Sequence, residues 1–106
     1  MPQPVIYRGL NEEQIRLLSE RKRLAFYSWI GLEPGTRLMI WNEEKAEWIY
    51  AVVKELVEKP SIEELRRLVE FTPYKGLQEW LEAENSKHDG SLPGKILLVE
   101  KVQPGV

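Results

Sequence analysis

The chain has 106 residues, of which 42% are hydrophobic, and it carries a formal net charge of −2 at pH 7, so it suits one domain with a single modest core. It has no cysteine and one histidine, His88. This excludes disulfides, thiolate metal sites and cysteine nucleophiles, and it argues against a histidine-built zinc site. Many Glu, Lys and Arg residues beside few Asn and Gln residues are typical of a thermophile composition.

The sequence also bears on location. No apolar run approaches the roughly 18–20 residues that span a bilayer. The first four residues have neither the positive nor the apolar region of a secretory signal. We therefore expect one domain over residues 1–106, located in the cytoplasm, with no membrane association and with no metal or other cofactor. The oligomeric state is left open.

A short strand and an amphipathic helix are predicted first. The apolar residues 5–7 indicate a strand. Asn11 is a good N-cap, and Gln14 stands at the N3 position of a capping box. Leu18 belongs to the buried stripe of this helix. The basic residues 21–23 at its end complement the helix dipole.

Three strands are predicted next. Residues 24–30 are aromatic and almost continuously apolar, so we expect both faces of this strand to be covered. A Pro-Gly turn at 34–35 leads into a second strand over 37–41. The polar segment 42–45 indicates a hairpin loop, and 46–57 would form a long antiparallel partner.

Two helices and a last strand complete the chain. Residues 61–64, Ser-Ile-Glu-Glu, form a capping box for one helix. Thr-Pro at 72–73 indicates the start of another helix, which would point Trp80 inward. Residues 85–94 indicate a polar loop, and 95–102 a buried strand. The order β-α-β-β-β-α-α-β predicts an α+β domain built on a small open β-barrel of about five strands.

A barrel of this kind predicts one shared interior. Six side chains are each expected to be largely buried there: Tyr7, Leu24, Phe26, Ile40, Val52 and Leu98. Three of the four tryptophans are expected to be core residues as well: Trp41, Trp48 and Trp80.

Cations beside aromatic residues give the best candidate site. Lys22, with Arg21 and Arg23, is placed to contact phosphates. Tyr27 and Trp29 share one side of the predicted strand and would form a stacking platform for bases. Residues 1–41 hold six cations against four anions, so a basic face is possible on an acidic chain. The alternative is that the cations only complement the helix dipole and that the aromatic residues only fill the core.

Three segments resemble the ASCH domain of the PUA-like superfamily. They are the helix end with its basic cluster at 19–24, the Pro-Gly turn and strand at 32–40, and the helix start at 59–65. The likeness covers most of the chain and lies in layout more than in identity.

The signature of that family is Gly-x-Lys-x-x-Glu-x-Arg, which falls on Glu20 to Tyr27. Lys22 matches the lysine, whereas Glu20 replaces the glycine, Ala25 the glutamate and Tyr27 the arginine. In the Gly-Asp turn of the family, Gly35 matches and Thr36 replaces the aspartate.

Members of this family are thought to bind RNA, so the resemblance implies RNA or a modified nucleotide as partner. The expected binding residues are Arg21, Lys22, Arg23, Tyr27 and Trp29. Some members are similar to amidohydrolases or nucleases that use a lysine, a hydroxyl residue and a glutamate. Ala25 neither accepts nor donates a proton, so no catalytic residue is assigned, and we expect no turnover of RNA or acylated nucleosides.

Two alternatives stay open. One is a hydrolase that acts on a modified nucleoside through Lys22. The other is a protein-interaction module that has lost its site. An open groove lined by Lys22, Tyr27 and Trp29 would favour RNA binding. Lys22 bonded to a carboxylate and a hydroxyl would favour the hydrolase, and a filled cleft with an exposed apolar patch elsewhere the interaction module.

Overall fold

The computed structural model describes residues 3–104, in which the chain forms five strands, three α-helices and one 3-10 turn. In chain order these are β1 (Val5–Ile6), α1 (Glu12–Arg21), β2 (Arg23–Ser28), β3 (Arg37–Asn42), β4 (Glu47–Glu58), α2 (Ile62–Leu68), the 3-10 turn (Val69–Phe71), α3 (Leu77–Lys87) and β5 (Lys95–Val102). The predicted α+β class and order of elements are confirmed. Within residues 3–104, no helix is long and apolar enough to cross a membrane.

The strands form one mixed sheet in the order β1-β3-β4-β5-β2. β1 runs parallel to β3, and the other neighbours are antiparallel. The predicted hairpin and the predicted buried strand over 95–102 are both confirmed. The sheet is not closed into a barrel. Side chains nevertheless join its two ends, because the Tyr7 hydroxyl donates to Ser28 Oγ at 2.9 Å and the Tyr7 ring lies 5.1 Å from that of Phe26.

Both faces of the sheet are covered in part, and this gives two hydrophobic clusters. The inner cluster packs beneath α1 and contains Leu18, Leu24, Phe26, Leu38, Ile40, Ile49, Ala51, Val53, Leu97 and Val99. The outer cluster packs beneath α2 and α3 and contains Ala25, Tyr27, Val57, Leu65, Leu68, Trp80, Ile96 and Leu98.

The expectation of a single core is therefore wrong. Leu98 is buried, but it lies in the outer cluster, whereas Leu24 and Phe26 lie in the inner one. Tyr7 and Val52 are only half-buried. The physical reason is strand alternation, since neighbouring residues of β2 and β5 point to opposite faces and helices cover both.

The helix caps are largely those the sequence predicts. Asn11 Oδ1 accepts from the Gln14 backbone N–H at 2.9 Å, and Ser61 Oγ accepts from that of Glu64 at 3.2 Å. In both capping boxes the N3 side chain bonds back to the N-cap backbone. The prediction that Thr72 starts a helix is wrong.

Helix α3 begins at Leu77, with Gly76 as N-cap. The Thr72 hydroxyl instead donates backward to the Val69 carbonyl at 2.7 Å, because a threonine side chain can satisfy a nearby backbone group as readily as it can cap a helix. Helix α3 also extends to Lys87, into the predicted loop.

Candidate functional site

The three predicted basic residues diverge at the junction of α1 and β2, where all are exposed. Lys22 is the C-cap of α1 in a left-handed conformation, with φ of 70°. Its carbonyl accepts from the Lys101 backbone N–H at 2.7 Å. This sharp turn separates Lys22 from Arg23, whose Nε donates to Glu100 at 3.2 Å and whose guanidinium lies 5.9 Å from the centre of the Phe71 ring.

The two predicted stacking residues also lie apart. Tyr27 is 8% exposed and packs against Trp80 with ring centres 5.4 Å apart. It is therefore a core residue, because α3 covers this part of the outer face. Trp29 is 60% exposed and places its ring 5.7 Å from His88. It follows the far end of β2 from Lys22, roughly 20 Å away along an extended strand. The expected cleft of Lys22, Tyr27 and Trp29 is not formed.

Half of the outer sheet face is left without a helix over it. Strand register places seven apolar or aromatic residues on this side: Ile6, Met39, Trp41, Trp48, Tyr50, Val52 and Val102. We call this set the uncovered face. Trp41 and Trp48 are 40% and 39% exposed, so the expectation that they are core residues is wrong, whereas Trp80 is fully buried as predicted. The alternating pattern assigns a side to each residue but does not say whether a helix lies there.

Trp48 lines an open groove at the end of the sheet, where strand register places Trp48 on the outer side and Glu47 and Lys101 on the inner side. The groove has a volume of about 580 Å³, and Lys22 and Lys101 line it together with Glu47 and Gln103. The Lys101 Nζ donates a hydrogen bond to the Ser19 carbonyl at 3.4 Å, and this contact restrains the Lys101 side chain. The groove therefore combines an exposed indole with two ammonium groups.

A smaller concavity of about 160 Å³ adjoins the groove. It is lined by Arg37 and Tyr50 and shares Val102 and Gln103 with the groove. Each hollow thus has one aromatic residue and at least one cation.

Two carboxylates near this surface are held by neighbouring side chains. Glu100 is shared between Arg23 and Lys54, at 3.2 Å and 3.5 Å. The hydrogen bond from Arg23 is the main reason that the pKa of Glu100 is lowered. On the other side, the Trp41 indole N–H donates to Glu43 at 2.6 Å, and the Trp41 ring packs edge-on against Trp48 at 5.2 Å. Trp48 is thereby supported from one side.

Helix α3 carries a second polar group, which sequence reasoning missed. Trp80, Glu84 and His88 recur every four residues and so share one helix face. Glu84 is 2% exposed, and His88 Nε2 lies 3.3 Å from its Oε2. In residues 3–104 these two atoms and Trp80 Nε1 are buried without a well-aligned hydrogen bond. The four-residue spacing of these residues in the sequence indicates that they share a helix face, but it does not show that Glu84 is buried.

Burial raises the pKa of Glu84, against the opposing effects of Lys87 and His88. Burial likewise raises the pKa of Tyr7 and Tyr27, and the nearby charge of Glu84 adds to both shifts.

The catalytic arrangement of the hydrolase alternative is not assembled. Ala25 is buried in the outer cluster. In the described part of the chain, Lys22 Nζ bonds to no carboxylate or hydroxyl. Within residues 3–104 there is no cluster of three or more His, Cys, Asp or Glu side chains that could hold a metal ion.

No family model matches this sequence, and the comparisons with curated proteins and with solved structures find no match either.

Proposed function

We propose that this protein binds single-stranded RNA at the end of its sheet, in the groove that joins the uncovered face to the inner side. One observation carries the proposal: the exposed Trp48 lines an open groove together with Lys22 and Lys101. In this proposal a base stacks on Trp48, and the two lysines contact the neighbouring phosphates. Arg37 and Tyr50 take the same roles for the next nucleotide in the adjoining hollow.

Elementary energetics support this assignment. Stacking of a base on an aromatic side chain contributes about 1–3 kcal/mol, and lysines gain affinity by releasing the counterions of phosphates. Sheets that present aromatic residues to solvent are a common platform for single-stranded RNA. Trp48 and Tyr50 stand two residues apart on one face, roughly 6.6 Å at the usual strand rise. Bases within a duplex are already stacked on each other, so we expect a preference for single strands.

We also infer that the chain is a divergent PUA-like domain. Support comes from the element order and from the side-chain link between the sheet ends at Tyr7 and Ser28. Further support comes from Gly35, whose φ of 94° favours glycine in the turn where the ASCH family has its Gly-Asp pair.

The first test is an anisotropy titration with labelled single-stranded and duplex RNA at about 50 and 200 mM salt. Trp48→Ala should weaken single-strand binding by about 5- to 150-fold, the equivalent of one lost stacking contact. Trp48→Phe should retain most of the affinity, because an aromatic face remains. Absence of single-strand binding at the lower salt would reject the function, and full affinity in Trp48→Ala would reject the site.

The second test concerns the lysines. Lys22→Ala and Lys101→Ala should each reduce the slope of log affinity against log salt by about 0.7, the value for one phosphate contact on a single strand. Lys75→Ala is the matched control, since this exposed lysine lies outside the groove and should leave the slope unchanged. Equal slopes in all three variants would contradict the assignment.

A protein-interaction module is the second candidate, and one observation favours it. Ile6, Trp41 and Trp48 are exposed on the same face, at 52%, 40% and 39%, while the expected cleft is filled by Tyr27. Sedimentation of the chain over a range of concentrations separates the candidates. Self-association that is lost in Trp48→Ala, without any RNA binding, would replace the RNA proposal with this one.

A further inference from the structure

Arg37 is an exposed cation beside the uncovered face that the fold does not engage. Strand register pairs it with Val52, so its side chain lies on the same outer side of the sheet as that of Tyr50. Within residues 3–104 its guanidinium forms no ion pair and no side-chain hydrogen bond. Glu100, the carboxylate in the same cross-strand row, is already shared between two other cations. The donors of Arg37 are therefore free for a ligand.

The hollow of about 160 Å³ is lined by Arg37 and Tyr50 together. These two residues are diagonal neighbours on β3 and β4, so roughly 7–8 Å separates their Cβ atoms, within reach of a long and an aromatic side chain. Val102, which pairs with Tyr50, adds an apolar wall on the same side. The volume is well below the roughly 300–1,000 Å³ of pockets for drug-sized ligands, so it suits a single base.

A guanidinium and an aromatic ring on one side of a sheet can distinguish the two purines. Guanine presents two adjacent acceptors, N7 and O6, which match two parallel N–H donors of an arginine. Adenine presents an acceptor at N7 but a donor at N6, so the second N–H of the arginine meets another donor. A guanidinium has five donors, so Arg37 can contact a base edge and still reach a phosphate oxygen.

We propose that Arg37 is a specificity-determining residue, which donates two hydrogen bonds to N7 and O6 of a guanine stacked on Tyr50 and so selects guanine over adenine. This inference rests on the proposed RNA binding. Register supports it, because Arg37, Tyr50 and Trp48 all lie on the outer side. Neighbouring bases can therefore occupy the two aromatic rings, with the guanidinium beside the base on Tyr50.

The test compares labelled uridine oligomers of six nucleotides that carry either one guanosine or one adenosine at the same internal position. The two oligomers have equal backbone charge and a purine of equal ring size, so a difference in affinity reports mainly on the base edge. We expect the guanosine oligomer to bind at least about 5-fold more tightly, the lower end for one bidentate contact. An oligomer with 7-deazaguanosine lacks the N7 acceptor and should lose part of this preference.

Arg37→Lys keeps the positive charge but lacks the planar pair of donors, so the ratio of the two affinities should fall towards one while the salt dependence is unchanged. Arg66→Lys is the matched control, because this exposed arginine of α2 lies outside the hollow and should leave the ratio unchanged.

The outcomes separate this inference from the function on which it rests. Equal affinity of the parent for the guanosine and adenosine oligomers would overturn the role of Arg37 while RNA binding stands. A preference that survives in Arg37→Lys, or that is undiminished for 7-deazaguanosine, would overturn it too. Binding of neither oligomer would overturn the proposed function, and this inference with it. A preference that is lost in Arg37→Lys but persists in Arg66→Lys supports the assignment.

Discussion

The two halves of the outer sheet face both carry aromatic residues, but these residues are buried in one half and exposed in the other. Beneath α2 and α3, Tyr27 packs against Trp80 and is buried. On the uncovered face, Trp41 and Trp48 form an aromatic pair of similar geometry but remain about two-fifths exposed. The comparison teaches that aromatic strands do not determine their own burial. It is decided by where the connecting helices lie.

The topology explains why only one half is covered. The last residue of β4, Glu58, pairs with the first residue of β5, Lys95. The segment with α2 and α3 therefore leaves and re-enters the sheet at the same end. A bulge in β4 between Val53 and Glu55 lies near the boundary, and beyond it the carboxylate of Glu55 accepts two hydrogen bonds from Arg67 of α2.

The largest expected effect contrasts the two tryptophan sites directly. Trp80→Ala should lower the free energy of unfolding by about 3–5 kcal/mol, because a large buried side chain is lost and a cavity remains. Trp48→Ala should cost only about 1 kcal/mol, mostly its contact with Trp41. Urea unfolding followed by circular dichroism measures both. A loss in Trp48→Ala as large as in Trp80→Ala would mean that the uncovered face is packed in solution.

A middle-sized effect is expected at the two helix caps. Asn11→Ala and Ser61→Ala should each cost about 1 kcal/mol, because a helix N-terminal N–H group loses its acceptor. Ser86→Ala is the matched control, because this exposed serine lies within α3 rather than at a cap. Since Ser61 starts a helix over the covered half, its loss should leave acrylamide quenching of Trp48 unchanged. Increased quenching there would show that the two halves are coupled.

The smallest effect concerns the polar pair beneath α3. Because burial raises the pKa of Glu84, the native state holds this proton more tightly than the unfolded chain does. Its contribution to stability is therefore full at low pH and is lost as the pH rises above the ordinary value of 4.5 and through the raised pKa. Glu84→Gln should be more stable than the parent at pH 7.5, with a smaller difference at pH 4.

His88→Ala should shift this balance in the opposite direction. His88 is one of the neighbours that lower the pKa of Glu84, so its removal should raise that pKa further and steepen the loss of stability as the pH rises. Urea midpoints from pH 4 to 7.5 give the comparison. Parallel pH profiles for the parent and both variants would show that folding does not change the pKa of Glu84.

Local chemistry made much of the fold predictable. The caps at Asn11 and Ser61 were readable because a side-chain acceptor and its partner lie three residues apart in sequence. The strand over 95–102 was readable from its apolar run and flanking turn residues. Thr72 was misread because a hydroxyl has two competing backbone partners, and sequence does not rank them.

The candidate site was less accessible from sequence. Lys22 was among the predicted site residues, and the structure places it in a groove with Trp48 and Lys101, which lie far away along the chain. Tyr27 and Trp29 are only two residues apart in sequence, but Tyr27 is buried in the core whereas Trp29 is exposed. Both lie towards the end of β2 that is far from Lys22. Strand pairing brings distant residues together, and a sequence pattern of period two records only the side of the sheet.

By itself the sequence determined the elements of this protein: their type, their order, most of their ends and the side to which each strand residue points. These depend on interactions within a few residues, such as caps, turns and alternation. Only the tertiary structure decided that there are two hydrophobic clusters, that Trp41 and Trp48 are exposed, and that Lys22, Trp48 and Lys101 share a groove. These features depend on strand order and on the path of α2 and α3, which are set by the packing of the whole chain.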